Sequence, residues 1–209
     1  MDFIKSAQWR YATKKFDATR KVSPEQIELL KRGVQLAPSS YGLQPYKVLI
    51  IEDAALKIQL RSASWDQPQI TDCSHLFVFC HYLDFPTELI DEYINFVSKI
   101  QEIEEDSLAV YSRLMKGDIA AKSTNERNCW ARNQTYIALS NLLMCCAQEQ
   151  IDSCPMEGFS SAMYNSILGL RGDGLNACVV AAVGYRDSND PTQRWIKVRK
   201  PLEQLIEQI

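Results

Sequence analysis

The residues with the most chemical potential are cations at alternate positions. In Trp9-Arg10-Tyr11-Ala12-Thr13-Lys14-Lys15 an extended backbone puts Arg10, Ala12 and Lys14 on one face. That makes a narrow basic strip with a small residue at its centre, where a planar or phosphorylated ligand could come close to the backbone. Lys197 and Arg199 alternate in the same way near the C-terminus. Arginine carries permanently charged, forked donors that match phosphate oxygens, and lysine adds a point charge. With Arg10 the pair could form a three-cation phosphate site assembled from both ends of the chain; solvated basic surface is the other reading of each cluster. The stretch Cys154-Pro155-Met156-Glu157-Gly158 is expected to turn. Proline restricts one backbone angle and glycine admits a close neighbour, so such a turn can aim N–H groups at a ligand, or simply lead into a helix.

Self-contained catalytic sets have few ways to form. The only two histidines, His75 and His81, fall in one expected strand, which leaves little scope for a Ser-His-Asp arrangement or a metal site. Neither a G-x-G-x-x-G pattern nor a phosphate-binding loop is present. The seven cysteines include no C-x-x-C pair, and most sit in apolar runs where cysteine acts as a small hydrophobe. An enzyme built from this chain would borrow its reactive group from a cofactor.

The elements that must position these residues follow from pattern. With 209 residues, 46% of them hydrophobic, the chain can bury a substantial core, and we expect a single domain over 1–209. A net charge of −3 argues against bulk nucleic-acid or membrane-surface binding. The charge is uneven: residues 1–47 hold nine Lys/Arg against four Asp/Glu, while 84–106 hold eight acids against one lysine. Unpaired cysteines and the lack of an export segment or a membrane-length apolar run point to a reducing cytoplasm. Asp2 can cap a short helix over 3–9, and Ser23-Pro24-Glu25-Gln26 has the form of a capping box with Pro at the first helical position. Pro38 stops that helix. Strands are expected at 47–52, 75–82 and 176–186, with helices after Asp53, over 86–125, over 129–150 and near 161–169. The segment 137–147 lacks a wide polar face, which predicts burial in a core or an interface. Few strands between helices mean α+β or α/β.

In this order and spacing, several motifs resemble the FMN-dependent nitroreductase family, in particular its oxygen-insensitive NAD(P)H nitroreductases that also reduce dihydropteridine. They are R-Y-A-T-K-K-F-D (10–17), S-P-E-Q (23–26), A-P-S-S-x-G-x-Q-P-Y (37–46), D-Q-P-Q-I-T-D-C-S-H (66–75), N-Q-T-Y (133–136), P-M-E-G-F (155–159) and K-V-R (197–199). Only the region 84–128 is poorly matched. The resemblance implies an α+β fold with a central, mainly antiparallel sheet flanked by helices, in an intertwined homodimer that exchanges its C-terminal segment and carries FMN at the interface. It also implies a ping-pong oxidoreductase that passes hydride from NAD(P)H through FMN to nitroaromatics, quinones or similar conjugated acceptors. Dihydropteridine, quinone or enone reduction with incidental nitroreduction is the nearest alternative, and a non-catalytic FMN-binding dimer is another.

Carried over by position, Arg10, Lys197 and Arg199 would hold the FMN phosphate, Tyr11 and Ala12 would be among the residues that bind the cofactor, and Lys14 would lie near the pyrimidine edge of the ring. Asp66 and Gln69 would face that same edge. Glu157 and Gly158 would offer backbone N–H groups near the flavin N5, with Pro155 and Met156 as the wall behind. Pro38, Ser39, Ser40 and Gly42, with Gln134, would reach the FMN held mainly by the other subunit. No side chain is implied as nucleophile or essential base, and no metal. Three positions depart from the family pattern: Ala12 where serine is frequent, Asp66 where asparagine is usual, and Gln69 in place of a lysine.

Overall fold

The structure is a computed structural model that describes residues 2–209. Four strands form one sheet in the order β1-β2-β4-β3, with every neighbouring pair antiparallel: β1 (Tyr46–Ile51), β2 (His75–Tyr82), β3 (Asp152–Met156) and β4 (Leu175–Gly184). The apolar run HLFVFCHY is the central β2, nearly all buried, because it is covered on both faces. A register shift between Phe79 and Cys80 bulges its pairing with β4.

One sheet face packs on helix α7 (Thr124–Gln148) and helix α2 (Pro24–Gln35), through Phe77 and Phe79 against Leu30, Ala138, Leu139 and Leu142. The other packs on α3 (Ala54–Ser62), the short α4 (Gln69–Asp72) and α8 (Ser161–Ile167), around Leu60, Ile70, Val78 and Tyr164. A third cluster joins Leu43 and Phe85 to α5 (Glu88–Gln101) and α6 (Ala109–Ala121). These are the acidic helices expected over 86–125, and their apolar stripes face each other. The remaining helices are α1 (Phe3–Trp9) and α9 (Leu202–Leu205).

Local signals behave as the pattern predicts at most boundaries. Ser23 and Gln26 close a reciprocal capping box on α2, and Asp53 accepts from the Leu56 N–H at 2.7 Å to start α3. Asp2 occupies the cap position of α1, but its side chain makes no capping bond. Helix α7 begins at Thr124, five residues before the expected 129, under a second box between Ser123 and Glu126. The Ser-Thr-Asn-Glu pattern was the available signal for it. Residues 154–156, read as part of a turn, are the end of β3. That strand lies at the sheet edge, where the missing Pro155 N–H leaves no gap in the ladder. Residues 10–17, expected to be extended, form two isolated bridges, Ala12 with Ser153 and Phe16 with Arg186, and bend at Lys14 between them.

Both histidines are buried in β2. His75 shares a 2.8 Å hydrogen bond with Ser74 Oγ. Burial, with a smaller contribution from nearby Arg132, pushes the His81 imidazole down to about 4. A histidine whose native value lies below its unfolded value contributes stability above pH 6.5 and loses it as pH falls towards 4. Between pH 7 and 4.5 this one group should cost about 2 kcal/mol, at about 1.4 kcal/mol per unit. The expected result is that His81→Asn flattens that part of the curve, read as urea midpoints at the two pH values. Equal losses in variant and parent would refute it.

Candidate functional site

The Ala12–Ser153 bridge is the hinge of the site, because it lays the strip 10–14 beside edge strand β3. Two buried carboxylates fix that strip. Asp152 accepts from the Arg186 N–H at 2.8 Å and pairs with its guanidinium at 2.6 Å, and Thr13 Oγ1 donates to it at 3.4 Å. Asp190 accepts from Tyr11 OH at 3.0 Å, the Lys14 N–H at 2.8 Å and the Lys15 N–H at 3.1 Å. Its other oxygen takes the Thr192 N–H at 2.8 Å and the Thr192 hydroxyl at 2.7 Å. One side chain therefore ties the N-terminal strip to the segment leading to Lys197 and Arg199.

Between them lies a cleft of about 290 Å³, lined by Arg10, Tyr11, Ala12, Lys14, Lys197 and Arg199 together with Thr192, Trp195 and Ile196. The two ends of the chain do converge. Lys197 Nζ donates to the carbonyl oxygens of Ala7, at 2.6 Å, and of Arg10, which anchors it at the C-terminal end of α1. Burial lowers the Arg10 guanidinium from its ordinary value, and the charge of Arg199 lowers it further. Burial, then Arg10 and Arg199, lowers Lys197 in the same direction. None of the three forms an ion pair among the described residues, and Arg10 Nε is buried with no partner. Mutually repelling cations with an orphaned donor fit a phosphate group.

Beyond the cleft, β3 carries Pro155 and the buried Met156 to the exposed Glu157 and to Gly158. That turn is held from several sides. Tyr136 OH on α7 donates to the Glu157 carboxylate, and Gln67 Nε2 donates to the Gly158 carbonyl at 2.7 Å. The Trp65 ring lies so close that a Cβ on Gly158 would meet it at 2.7 Å, so any larger residue there would have to push the ring aside. Trp65 and Asp66 have φ of 53° and 55°, two successive residues in the left-handed region. A backbone strained in this way needs outside support; here Asp66 N–H donates to Arg61 O and Arg61 Nε donates to Asp66 O, both at 3.2 Å. Asp66 is exposed. Gln69, in α4, is buried with its Oε1 unpartnered. This second orphaned atom fits a hydrogen-bonding ring edge.

Pro38, Ser39, Ser40 and Gly42 do not line this cleft. Ser39 Oγ accepts from the Gln44 N–H at 2.9 Å, and Gln134 Oε1 accepts from the Ser40 N–H at 2.9 Å. Gln134 also donates to Trp130 O at 3.1 Å, so both polar ends are engaged and its effect is to position the loop. Gly42 has φ of 75°, and a Cβ there would strike Tyr93 OH. Gln134 and Tyr136 are two residues apart on α7, which places them about 200° apart around the helix. The serine loop and the Glu157 turn thus meet opposite sides of one helix.

Asp190, Asp152, Gln67 and Trp195 were not singled out from the sequence. For Asp190 the Asp-Pro pair at 190–191 carried a turn signal; for the others the contacts are long-range and left no local mark.

Comparison with known proteins is consistent with this geometry. The model of the nitroreductase family matches residues 7–185. A Staphylococcus aureus protein named for NAD(P)H nitroreductase activity is 32% identical over 207 residues, covering 95% of this chain and 92% of that protein. The major NAD(P)H-flavin oxidoreductase of Aliivibrio fischeri is 30% identical, covering 94% of each. A nitroreductase structure from Exiguobacterium sibiricum in complex with FMN superposes with a TM-score of 0.86 at 16% identity, over 100% of this chain and 98% of that one. At that identity the likeness speaks for a shared fold. With the cation cleft, the glycine turn and these matches in register, the chain belongs to the nitroreductase family.

Proposed function

We propose that this chain is an FMN-dependent NAD(P)H oxidoreductase acting on flat conjugated acceptors such as nitroaromatics and quinones. The observation that carries the reading is the convergence of Arg10, Lys197 and Arg199 from both chain ends on one acid-free cleft, with Arg10 Nε orphaned. These three would hold the phosphate. Pro155, Met156, Glu157 and Gly158 would back the ring, with Tyr11, Ala12 and Lys14 beside it and Asp66 and Gln69 at its edge. When bound, FMN supplies the hydride relay between nicotinamide and acceptor in a ping-pong cycle. The chain's part is binding, orientation and electrostatics. Protein freshly purified should be yellow, and NADH or NADPH should bleach it under nitrogen. Colourless protein that takes up no added FMN overturns the reading; yellow protein that neither nicotinamide bleaches favours a binding role without turnover.

A homodimer completes the site in this reading. The serine loop and the Glu157 turn face opposite sides of α7, so Pro38, Ser39, Ser40 and Gly42 would serve the cofactor held by a second copy. The C-terminal segment supports the same arrangement: Ile196 is 91% exposed and Val198 82%, with Leu202, Leu205 and Ile206 also uncovered. Edge strand β1 leaves open an apolar groove of about 260 Å³ between Val34, Tyr46, Val48 and Ile50. An exchanged tail would cover both apolar surfaces and blunt the open edge. An active, FMN-loaded monomer would refute this.

Asp66 and Gln69 should set a low flavin potential, because a carboxylate replaces an amide and a neutral amide replaces a cation beside the ring. Restoring Asp66→Asn and Gln69→Lys together is expected to raise the midpoint by tens of millivolts, since a charge within several ångströms in a partly buried site is worth on the order of 1 kcal/mol or more. An unchanged or lower midpoint in the double variant would sink the argument.

A further inference from the structure

A second cavity, of about 440 Å³, opens where the N-terminal half of α7 passes the ends of β2 and β4, and it shares no residue with the cation cleft. Its polar walls include Arg132, His81, Asn125, Asn128, Ser161 and Cys178. Arg132 is the one cation in the lining, and no acid lines it. Its guanidinium has no hydrogen-bond or ion-pair partner among the described residues. His81 is 4% exposed, yet its Nδ1 is buried without a partner. A buried ring nitrogen left unpaired costs stability, and native structures normally give such an atom a ligand, a water or a neighbour. Asn128 uses its carbonyl oxygen to accept the Asp84 N–H at 2.7 Å, which leaves its amide hydrogens free to donate. Asn125 and Ser161 add further hydrogen-bonding groups.

The charge count narrows the ligand. One guanidinium matches one carboxylate in a forked, two-bond geometry, whereas a phosphate dianion would find no second cation. The polar lining suits a hydroxylated molecule, and a hydroxyl can satisfy a neutral imidazole nitrogen as donor or acceptor, whichever tautomer is present. We infer that this basin binds a small hydroxylated monocarboxylate, with Arg132 gripping the carboxylate and the hydroxyl meeting the polar wall of His81, Asn125 and Asn128. Arg132 lies one helical turn before Tyr136, which holds Glu157. The site is therefore next to the cofactor turn without being part of it, and the inference stands apart from the FMN reading.

The test uses the purified protein with FMN added, lactate as probe and lactamide as its uncharged analogue. The chain has two histidines, so histidine-selective nuclear magnetic resonance separates them. Lactate should shift the His81 ring signals in a saturable way, leave those of His75 in place, and bind at least about tenfold more tightly than lactamide, as expected for hydrogen bonds to a charged group. Arg132→Gln, at an exposed position, should remove that preference without changing FMN affinity, while Arg199→Ala should weaken FMN and leave lactate binding as it is. Equal binding of lactate and lactamide, an unmoved His81 because a second copy covers the basin, or an Arg132→Gln variant that binds like the parent would overturn the inference. An Arg199→Ala variant with unchanged FMN affinity would count against the FMN reading alone.

Discussion

Asp190→Ala should destabilise the protein by about 3 to 5 kcal/mol and loosen both walls of the cation cleft at once. The carboxylate is buried and accepts five hydrogen bonds, from Tyr11, Lys14, Lys15 and, twice, Thr192. Each buried donor left without an acceptor costs about 1 to 3 kcal/mol, and water entering the gap recovers part of the total. Asp190→Asn should also be costly despite its matching shape. Both oxygens of the native side chain face donors, so the amide nitrogen must point at N–H or O–H groups on one side or the other. Burial alone would raise the Asp190 carboxyl, but the hydrogen bonds from Thr192, Lys14 and Lys15 outweigh it and hold it below the ordinary 3.8. A depressed acid contributes stability above its unfolded value and loses it as pH falls through its lower native value. Urea unfolding at neutral pH checks the first claim, and a loss under about 1 kcal/mol would show that the network is dispensable. FMN titration of the same variants checks the second: affinity should fall with stability, because the strip 10–14 and the segment 191–199 have lost their common tie.

The second large effect is on binding alone. Arg199→Ala should weaken FMN about tenfold to a hundredfold, the range for a hydrogen bond to a charged group. Its exposed side chain supports little packing, so the apoprotein should keep or slightly gain stability once a charge that repels Arg10 and Lys197 is gone. Binding and stability then move in opposite directions, which a general packing defect would not produce. Riboflavin, which lacks the phosphate, is the control. Its affinity should be the same for parent and variant, measured by quenching of flavin fluorescence on titration with apoprotein. An equal loss for riboflavin and FMN would place Arg199 somewhere other than the phosphate.

How far the site was legible follows from where its forces act. The strip 10–14 and the pair 197 and 199 could be read from alternation, because period 2 in an extended chain decides which side chains share a face. The capping box at Ser23 and the N-cap at Asp53 set helix starts through bonds made within three residues, so the local pattern held the answer. The central strand was evident from its unbroken apolar run. The order β1-β2-β4-β3 was not, since any pairing of these strands satisfies local propensity equally well and only packing on both faces selects one.

By itself, then, the amino-acid sequence determined the elements, the candidate cations and, through motifs in register, the family resemblance. Tertiary structure alone decided that Asp190 would join the two ends of the chain, that Gln67 and Trp65 would hold the Gly158 turn, and that Arg10 Nε and Gln69 Oε1 would be left buried without partners. It also placed the serine loop and the Glu157 turn on opposite sides of α7. Hydrogen bonds across 176 or 91 residues leave no trace in neighbouring positions. Their partners meet only after the sheet and α7 have packed, because burial makes an unpaired donor costly enough to select one arrangement over the others.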